Sequence, residues 1–196
     1  MQYIIGLDEN GTGALAGPFV ISAIKSPKNW TLNGLNDSKK LSRTKIIELN
    51  SLLQQQIKNN IIEHSLIEVS VQELELSGLG KALKDNYIKC LDNFDCSEST
   101  IILDGNKKIN YKFPIISVIK ADSKYPQVMA ASILGKFYRD NIMIQANKIY
   151  PGYGFDTHVG YAAESHKDAI RKLGFCKFHR MGYKIKIWKI YYFIIK

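Results

Sequence analysis

Apolar positions along the chain follow two spacings, one typical of strands and the other typical of helices. Short apolar runs predict strands at residues 2–7, 18–25, 61–71, 100–103 and 115–119. Apolar residues three or four positions apart predict helices at residues 42–57, 74–91, 126–148 and 164–173. Ser42 is suited to cap the first helix, and Gly78 and Gly80 divide the second into two.

The linker between the first two strands is short and rich in small residues. It runs from Asn10 to Gly17, which suits a turn and direct pairing of the strands. Paired strands followed by mixed helices and strands predict an α/β fold, with a mixed β-sheet flanked by helices and a C-terminal helical region. A length of 196 residues without an internal repeat indicates a single domain, residues 1–196.

The chain is basic, with 27 Lys and Arg against 18 Asp and Glu and a net charge of +9. Six of the cations lie in residues 177–196, a tail that contains isoleucine and aromatic residues but no acid. Such an excess favours a polyanionic partner, because cations displace counterions from phosphates. The tail is consistent with nucleic-acid binding or an added strand, but we expect its apolar face to pack on the domain.

Cysteine content and hydropathy argue against several classes of protein. The three cysteines lack Cys-x-x-Cys spacing and predict neither a disulfide framework nor a zinc site. No stretch is apolar for long enough to span a membrane, and the N-terminus enters a strand pattern without an export signal. We therefore expect a soluble protein of the reducing cytoplasm.

Four acidic residues follow three of the predicted strands. Asp8 and Glu9 follow the first strand, and Asp104 and Asp122 follow the last two. Neighbouring strands bring such ends together, and buried carboxylates are costly unless a partner or a metal neutralises them. Each acid alone is also consistent with an ordinary carboxylate at the start of a loop, but three separate strand ends favour a shared site.

Carboxylate oxygens are hard ligands that select Mg²⁺ or Mn²⁺ over zinc. The chain has no cluster of cysteine and histidine for a softer metal, so we expect one or two divalent ions of this kind. Two ions roughly 3.5–4 Å apart activate a water and stabilise the leaving oxygen of a phosphodiester displacement. The predicted chemistry is metal-assisted phosphoryl hydrolysis.

The segment from Asp8 to Pro18, DENGTGALAGP, resembles the opening signature of the ribonuclease HII family, which typically is D-E-x-G-R-G-x-L-A-G-P. Further matches occur in family order: NDSKKLS at 36–42, LDG at 103–105, KADSKYP at 120–126, AASIL at 130–134, YPGYGF at 150–155, GY at 160–161, His166 and HR at 179–180. The resemblance thus covers nearly the whole chain, and its consecutive blocks are more specific than a lone glycine motif.

Membership in this family implies a ribonuclease H-like fold and an endonuclease whose catalytic, metal-binding residues are Asp8, Glu9, Asp104 and Asp122. The implied substrates are RNA–DNA hybrids and DNA duplexes with embedded ribonucleotides, and the implied products carry 3′-hydroxyl and 5′-phosphate ends. We expect a monomer that does not associate with membranes. The related ribonuclease HIII group usually has an N-terminal extension, and a start directly at the first strand disfavours it.

The resemblance also implies substrate contacts. The glycine-rich loop and a tyrosine sense the 2′-hydroxyl, the group that separates RNA from DNA locally. The corresponding residues are Gly11, Thr12, Gly13 and Tyr161. A segment near the nucleic-acid backbone corresponds to Ser38, Lys39 and Lys40. Lys124 and Arg180 are further candidates for phosphate contact, although each cation singly is equally consistent with a solvated surface.

Thr12 is the main departure from the family pattern, which has arginine there. A guanidinium holds a phosphate through two charged hydrogen bonds, whereas threonine offers one neutral hydroxyl. We therefore expect weakened binding and a less strict preference for isolated ribonucleotides. A catalytically weak RNA–DNA junction-binding protein is the alternative, and the presence of all four carboxylates opposes it. Gly135, where the family more usually has alanine, is a milder departure.

Three histidines, His158, His166 and His179, resemble catalytic bases at first sight. A two-metal site needs no such base, and histidine is more often a surface or hydrogen-bonded core residue. We therefore expect no catalytic role for them, and His166 receives some weight only because the family pattern contains it.

Overall fold

Residues 1–183, the part of the chain that the computed structural model describes, contain five strands. These are β1 (Tyr3–Asn10), β2 (Phe19–Pro27), β3 (Glu63–Val69), β4 (Ser99–Asp104) and β5 (Ile115–Val118). They form one sheet in the order β3-β2-β1-β4-β5. Strand β2 runs antiparallel to β1 and β3, whereas β4 is parallel to β1 and β5. The predicted mixed sheet is confirmed, with strand ends displaced by a few residues.

The helices within the same residues are α1 (Arg43–Lys58), α2 (Val71–Ser77), α3 (Leu79–Leu91), α4 (Pro126–Ile149), α5 (Phe155–His158) and α6 (Glu164–Leu173). Short 3₁₀ turns occur at Ser38–Lys40 and Ala121–Ser123. Ser42 caps α1 by accepting a 3.2 Å hydrogen bond from the Lys45 N–H, as predicted. Gly78 separates α2 from α3 at a φ of 73°, which glycine adopts without steric cost.

Helices cover both faces of the sheet. Helix α4 lies across β1 and β2, and its Ala130 is fully buried. The approach is so close that a side chain on Gly6 of β1 would meet the backbone of Val128 at 2.5 Å. On the other face, Tyr87 and Leu91 of α3 are fully buried in the cluster that contains the inward residues of β1 and β2. Small residues on α4 therefore bring its side chains close to β1.

The C-terminal part of the described chain packs against the end of α4. Phe155 of α5 and Ile170 of α6 are fully buried there with Met143 of α4. This confirms the predicted C-terminal helical region. Residues 184–196, most of the predicted tail, lie outside the described residues. In residues 1–183, no helix combines the length and apolar character needed to cross a membrane.

Candidate active site

The parallel pairing of β1 and β4 places Asp8 and Asp104 side by side. Leu7 pairs with Leu103, and each aspartate is the next residue of its strand. Glu9 follows Asp8 in β1. Because parallel strands end at the same edge of a sheet, these acids lie at one edge, as the sequence predicts.

Asp122 is brought to this edge by a strained turn after β5. Lys120 adopts a left-handed conformation, with φ at 58° and ψ at 42°, which is uncommon for a residue with a side chain. The next residue, Ala121, donates its N–H to Asp104 Oδ1 at 2.7 Å, and this bond ties the turn to β4. Burial and the charge of Asp104 raise the pKa of Asp122.

Asp8 is 4% exposed, and its environment disfavours the ionised form. Burial raises its pKa to about 7; repulsion from Glu9 and Asp104 adds to this, while a hydrogen bond from Ser132 opposes it. The Ser132 hydroxyl lies 2.8 Å from the Ser38 hydroxyl, and both residues are buried. Ser38 is thus linked to Asp8 through Ser132.

Two lysines and a tyrosine contact the acids. Lys39 Nζ lies 3.4 Å from Asp122 Oδ2, and Lys107 Nζ lies 2.6 Å from Glu9 Oε1. The Tyr87 hydroxyl donates to the other oxygen of Glu9. Within the described residues, no three acidic, histidine or cysteine side chains are already drawn together around a position for a metal ion. Sequence reasoning missed the contact of Lys107, although it follows Asp104 closely in the chain.

The glycine-rich loop, residues 11–17, is held between two distant segments of the chain. The Leu15 N–H donates to the Gly160 carbonyl at 2.8 Å, and the Gly17 N–H donates to the Phe178 carbonyl at 2.8 Å. The backbone N–H of Arg180 donates to the Leu15 carbonyl at 2.9 Å. Residues 160 and 178–180 therefore hold the loop through main-chain hydrogen bonds.

Arg139 of α4 lies beneath this loop and beside Tyr161. Its buried guanidinium donates to the carbonyl oxygens of Pro18 (2.9 Å), Ala16 (3.2 Å) and Val159 (2.9 Å). It also lies 5.2 Å from the centre of the Tyr161 ring. Gly11 has a φ of 89°, and a side chain there would overlap the guanidinium. The sequence signal for this role is that Arg139 continues the buried stripe of α4, which includes Gly135 and Met143.

Arg180 is not a surface cation, so the expectation of a phosphate contact was wrong. It is fully buried, and it donates to the Gly17 carbonyl at 2.8 Å and to the Thr12 carbonyl at 3.1 Å. The Tyr183 hydroxyl donates to the same Thr12 carbonyl at 2.6 Å. Arg180 therefore holds the glycine-rich loop from inside the protein.

The other predicted substrate residues differ in exposure. Lys39, Lys40, Lys124 and Gly13 are exposed, and Thr12 is half-buried. Tyr161 is 42% exposed, so part of its ring faces solvent next to the loop. Ser38 and Gly11 are buried. The exposed members form the part of this set that a ligand can reach.

A sequence model of the family described as Ribonuclease HII matches residues 5–186. The chain belongs to the ribonuclease HII family. Ribonuclease HII of Francisella philomiragia is 35% identical over 181 residues, which cover 92% of this chain and 96% of that protein. A chain of the PCNA:RNase HII complex from Archaeoglobus fulgidus has a TM-score of 0.76 at 22% identity, and the match covers 93% of this chain and 95% of that one. Bst-RNase HIII in complex with Mn²⁺ has a TM-score of 0.65 at 20% identity, and the match covers 88% of this chain and 63% of that one.

These comparisons confirm two predictions made from the sequence. The structural likeness confirms the ribonuclease H-like fold. Membership in the ribonuclease HII family makes the protein an enzyme, a ribonuclease H that hydrolyses phosphodiester bonds of RNA in RNA–DNA hybrids. The family match also favours ribonuclease HII over ribonuclease HIII.

In this ribonuclease HII, His166 and His179 are core residues, whereas His158 is half-buried. His166 and His179 are 0% and 1% exposed, and each is hydrogen-bonded to protein groups. Burial lowers the pKa of both, that of His179 to about 4. They are therefore neutral near pH 7.

Proposed function

We propose that this ribonuclease HII is metal-dependent and that it also cuts at ribonucleotides embedded in duplex DNA. Asp8, Glu9, Asp104 and Asp122 would bind one or two divalent ions, Mg²⁺ or Mn²⁺. Cleavage would leave 3′-hydroxyl and 5′-phosphate ends. The observation that supports this proposal is a buried Asp8 at the edge of the sheet that also carries the other three acids, where burial and the charges of Glu9 and Asp104 disfavour its ionised form in the absence of a cation.

The chemistry of the donor set fits a hard divalent ion. Every predicted ligand is a carboxylate, and a cation beside Asp8 would lower its pKa, because opposite charge favours the ionised form. Bst-RNase HIII, which shares the fold, was solved in complex with Mn²⁺. When bound, such ions supply water activation and stabilise the charge of the leaving oxygen.

The lysines at this edge would neutralise substrate phosphates. The Lys39 side chain is 76% exposed although its amine contacts Asp122. A change of side-chain rotamer can therefore turn the amine toward a phosphate while the backbone stays where it is. Lys40 is exposed in the same 3₁₀ turn. Cations at these positions increase affinity for a polyanion through release of counterions.

The glycine-rich loop and Tyr161 would contact the ribonucleotide. Nothing lies within 4 Å of the position that a side chain on Gly13 would occupy, which leaves room for a nucleotide. Tyr161 presents part of its ring beside the loop, and Arg139 fixes both elements. Thr12 offers a hydroxyl but no charge, so we expect weaker phosphate binding than an arginine would give.

Cleavage of two substrates tests this proposal. One is a DNA duplex with a single ribonucleotide and the other is a full RNA–DNA hybrid, both labelled on the ribonucleotide-containing strand. We expect both to be cut with Mg²⁺ or Mn²⁺ and neither with EDTA, and a 5′-phosphate-dependent exonuclease should degrade the downstream product. Cleavage in EDTA would refute the metal dependence, and cleavage of the hybrid alone would refute the action at embedded ribonucleotides.

The contribution of Thr12 is measured by binding to the single-ribonucleotide duplex with Ca²⁺ in place of the active metals. Thr12→Arg should tighten binding by about tenfold, because the forked guanidinium of arginine can hold a phosphate through two hydrogen bonds. Thr12→Lys is the matched control, since it adds the charge without the fork. Equal gains from both variants would show that charge alone is missing.

A further inference from the structure

Three imidazoles are packed together behind the turn that carries Tyr161. The rings of His158 and His166 are stacked, with centroids 4.2 Å apart and planes 12° apart. The ring of His179 is 5.3 Å from that of His166, and Phe155 packs edge-on against His166 at 5.5 Å. None of these side chains is needed by the proposed metal chemistry, which leaves their arrangement to be explained.

The hydrogen bonds of the stack assign one proton to each ring. His179 Nδ1 accepts from the Cys176 N–H at 3.0 Å, so its proton is on Nε2. That proton points at His166 Nε2, 3.1 Å away, which must accept it. His166 therefore carries its own proton on Nδ1 and donates it to the Tyr161 carbonyl at 2.8 Å.

His158 holds the preceding residue of the same turn. Its Nδ1 accepts from the Gly160 N–H at 3.1 Å, and its Nε2 donates to the Tyr153 carbonyl at 2.7 Å. Stacked imidazoles thus bind both Gly160 and Tyr161 through the main chain.

One residue of this turn has an unfavourable backbone conformation. Val159 adopts φ 43° and ψ 39°, a left-handed conformation that is unfavourable for a β-branched residue. Arg139 holds the Val159 carbonyl at 2.9 Å. Hydrogen bonds at Val159, Gly160 and Tyr161 therefore hold the backbone of this turn, and that backbone fixes the direction in which the half-exposed Tyr161 ring leaves the surface.

We propose that His166 is a positioning residue that sets the orientation of Tyr161 and thereby the preference of the enzyme for a ribonucleotide at an RNA–DNA junction. His179 acts with it, because its Nε2 proton forces His166 to donate toward Tyr161. The proposal rests on the proposed function, in which Tyr161 contacts the ribonucleotide. It predicts that removal of the Nδ1 donor changes substrate selectivity more than it changes cleavage in general.

The test compares His166→Leu with His166→Asn. The two replacements are similar in size, but only asparagine keeps a donor near the position of Nδ1. Selectivity is the kcat/KM for the single-ribonucleotide duplex divided by that for the hybrid. We expect His166→Leu to lower this ratio about tenfold, the effect of losing one well-placed hydrogen bond, and His166→Asn to restore most of it.

A double-mutant cycle with Tyr161→Phe separates positioning from packing. If His166 acts through Tyr161, His166→Leu should change the ratio little once Tyr161 has lost its hydroxyl. Equal losses on both substrates, or the same effect with and without the Tyr161 hydroxyl, would reduce His166 to a core residue and overturn the proposal. Thermal unfolding of each variant shows whether it is folded at the assay temperature.

A spectroscopic measurement on the free protein does not depend on the proposed function. Histidine ¹⁵N spectra should show the Nδ1–H form for His166 and the Nε2–H form for His179. The ring resonances of labelled Tyr161 should shift in His166→Leu and return toward wild type in His166→Asn. If wild type cuts neither substrate, the proposed function fails, and unchanged Tyr161 resonances would then overturn the positioning role independently.

Discussion

The acidic centre, formed by Asp8, Glu9, Asp104 and Asp122, and the cluster behind the glycine-rich loop are two largely buried polar regions whose charges are balanced differently. In the acidic centre, Asp8 is buried beside like charges, and its pKa rises to about 7. In the other region, Arg139 donates to three carbonyl oxygens, and His166 and His179 are held in neutral forms. We call this second region the histidine–arginine cluster; it comprises His158, His166, His179, Arg139 and Arg180.

The difference shows what each region can do. Negative charge that the protein balances only in part, through Lys39 and Lys107, remains available to a cation. The donors of Arg139, which are matched by carbonyl acceptors, keep a loop in one shape and have little capacity left for a ligand. Substitutions in the acidic centre should therefore act on metal binding and turnover, and substitutions at the histidine–arginine cluster should act on loop geometry and stability.

The largest expected effect is the loss of turnover in Asp8→Asn. The amide keeps the size of the side chain but removes the charge at the centre of the acidic group, so metal-dependent cleavage should fall by about a thousandfold or more. Asp95→Asn is the matched control, because Asp95 is exposed and the chemical change is identical. Cleavage rates with Mg²⁺ and Mn²⁺ measure the effect. Residual activity of Asp8→Asn within tenfold of wild type would show that Asp8 is not a metal ligand.

The same variant should have the opposite effect on stability in EDTA, and the effect should depend on pH. The pKa of Asp8 is about 7 in the folded protein against 3.8 as the reference, so wild type loses stability relative to Asp8→Asn as the pH rises from about 4 to about 7. The difference should approach about 4 kcal/mol at most. Comparing the two proteins at each pH cancels the contributions of histidines such as His179. Urea unfolding measures this difference, and a value independent of pH would contradict the burial argument.

Saturating Mn²⁺ should make wild type more stable than Asp8→Asn, the reverse of the order expected in EDTA. Wild type should gain stability because only the folded carboxylates bind the ion, while Asp8→Asn should gain less.

A smaller effect is expected where the histidine–arginine cluster supports the loop. In Gly11→Ala the new methyl group would overlap the Arg139 guanidinium at a φ of 89°, so unfolding should become easier by about 3 kcal/mol. Gly13→Ala in the same loop meets no atom within 4 Å and should change stability by less than about 0.5 kcal/mol. Thermal unfolding in EDTA compares the two. Similar losses of stability in Gly11→Ala and Gly13→Ala would mean that the overlap with Arg139 is not the reason why the loop requires glycine.

The acidic centre could be predicted from the sequence because its information is local. Each of Asp8, Asp104 and Asp122 follows an apolar strand pattern. Parallel pairing brings Asp8 and Asp104 together, and the turn at Lys120 brings Asp122 to the same edge. The lysine contacts were harder to predict, because Lys107 belongs to a loop whose path depends on β5. Ser38 was assigned to the substrate from the family pattern, whereas its buried hydroxyl bonds to Ser132, a contact between residues far apart in sequence.

The hydrogen bonds of the histidine–arginine cluster could not be predicted, because they connect distant parts of the chain. Arg180 bonds to carbonyls of Gly17 and Thr12, and nothing near it in sequence indicates burial. A basic residue at position 180 of a basic chain was therefore interpreted as a surface contact. Arg139 did leave a signal, since it falls on the buried stripe of α4 together with Gly135.

The smallest expected effect is at the contact between α4 and the strand that carries Asp8. A side chain on Gly135 would overlap Asn10 Oδ1, a buried oxygen that has no hydrogen-bond partner in the described part of the chain. Gly135→Ala should therefore cost about 1–2 kcal/mol, even though alanine favours a helix by about 1 kcal/mol over glycine. Asn10→Ala removes the obstacle, so the double variant should be at least as stable as wild type. Urea unfolding of the four proteins gives the coupling energy, and additive effects would show that Gly135 is small for a reason unrelated to Asn10.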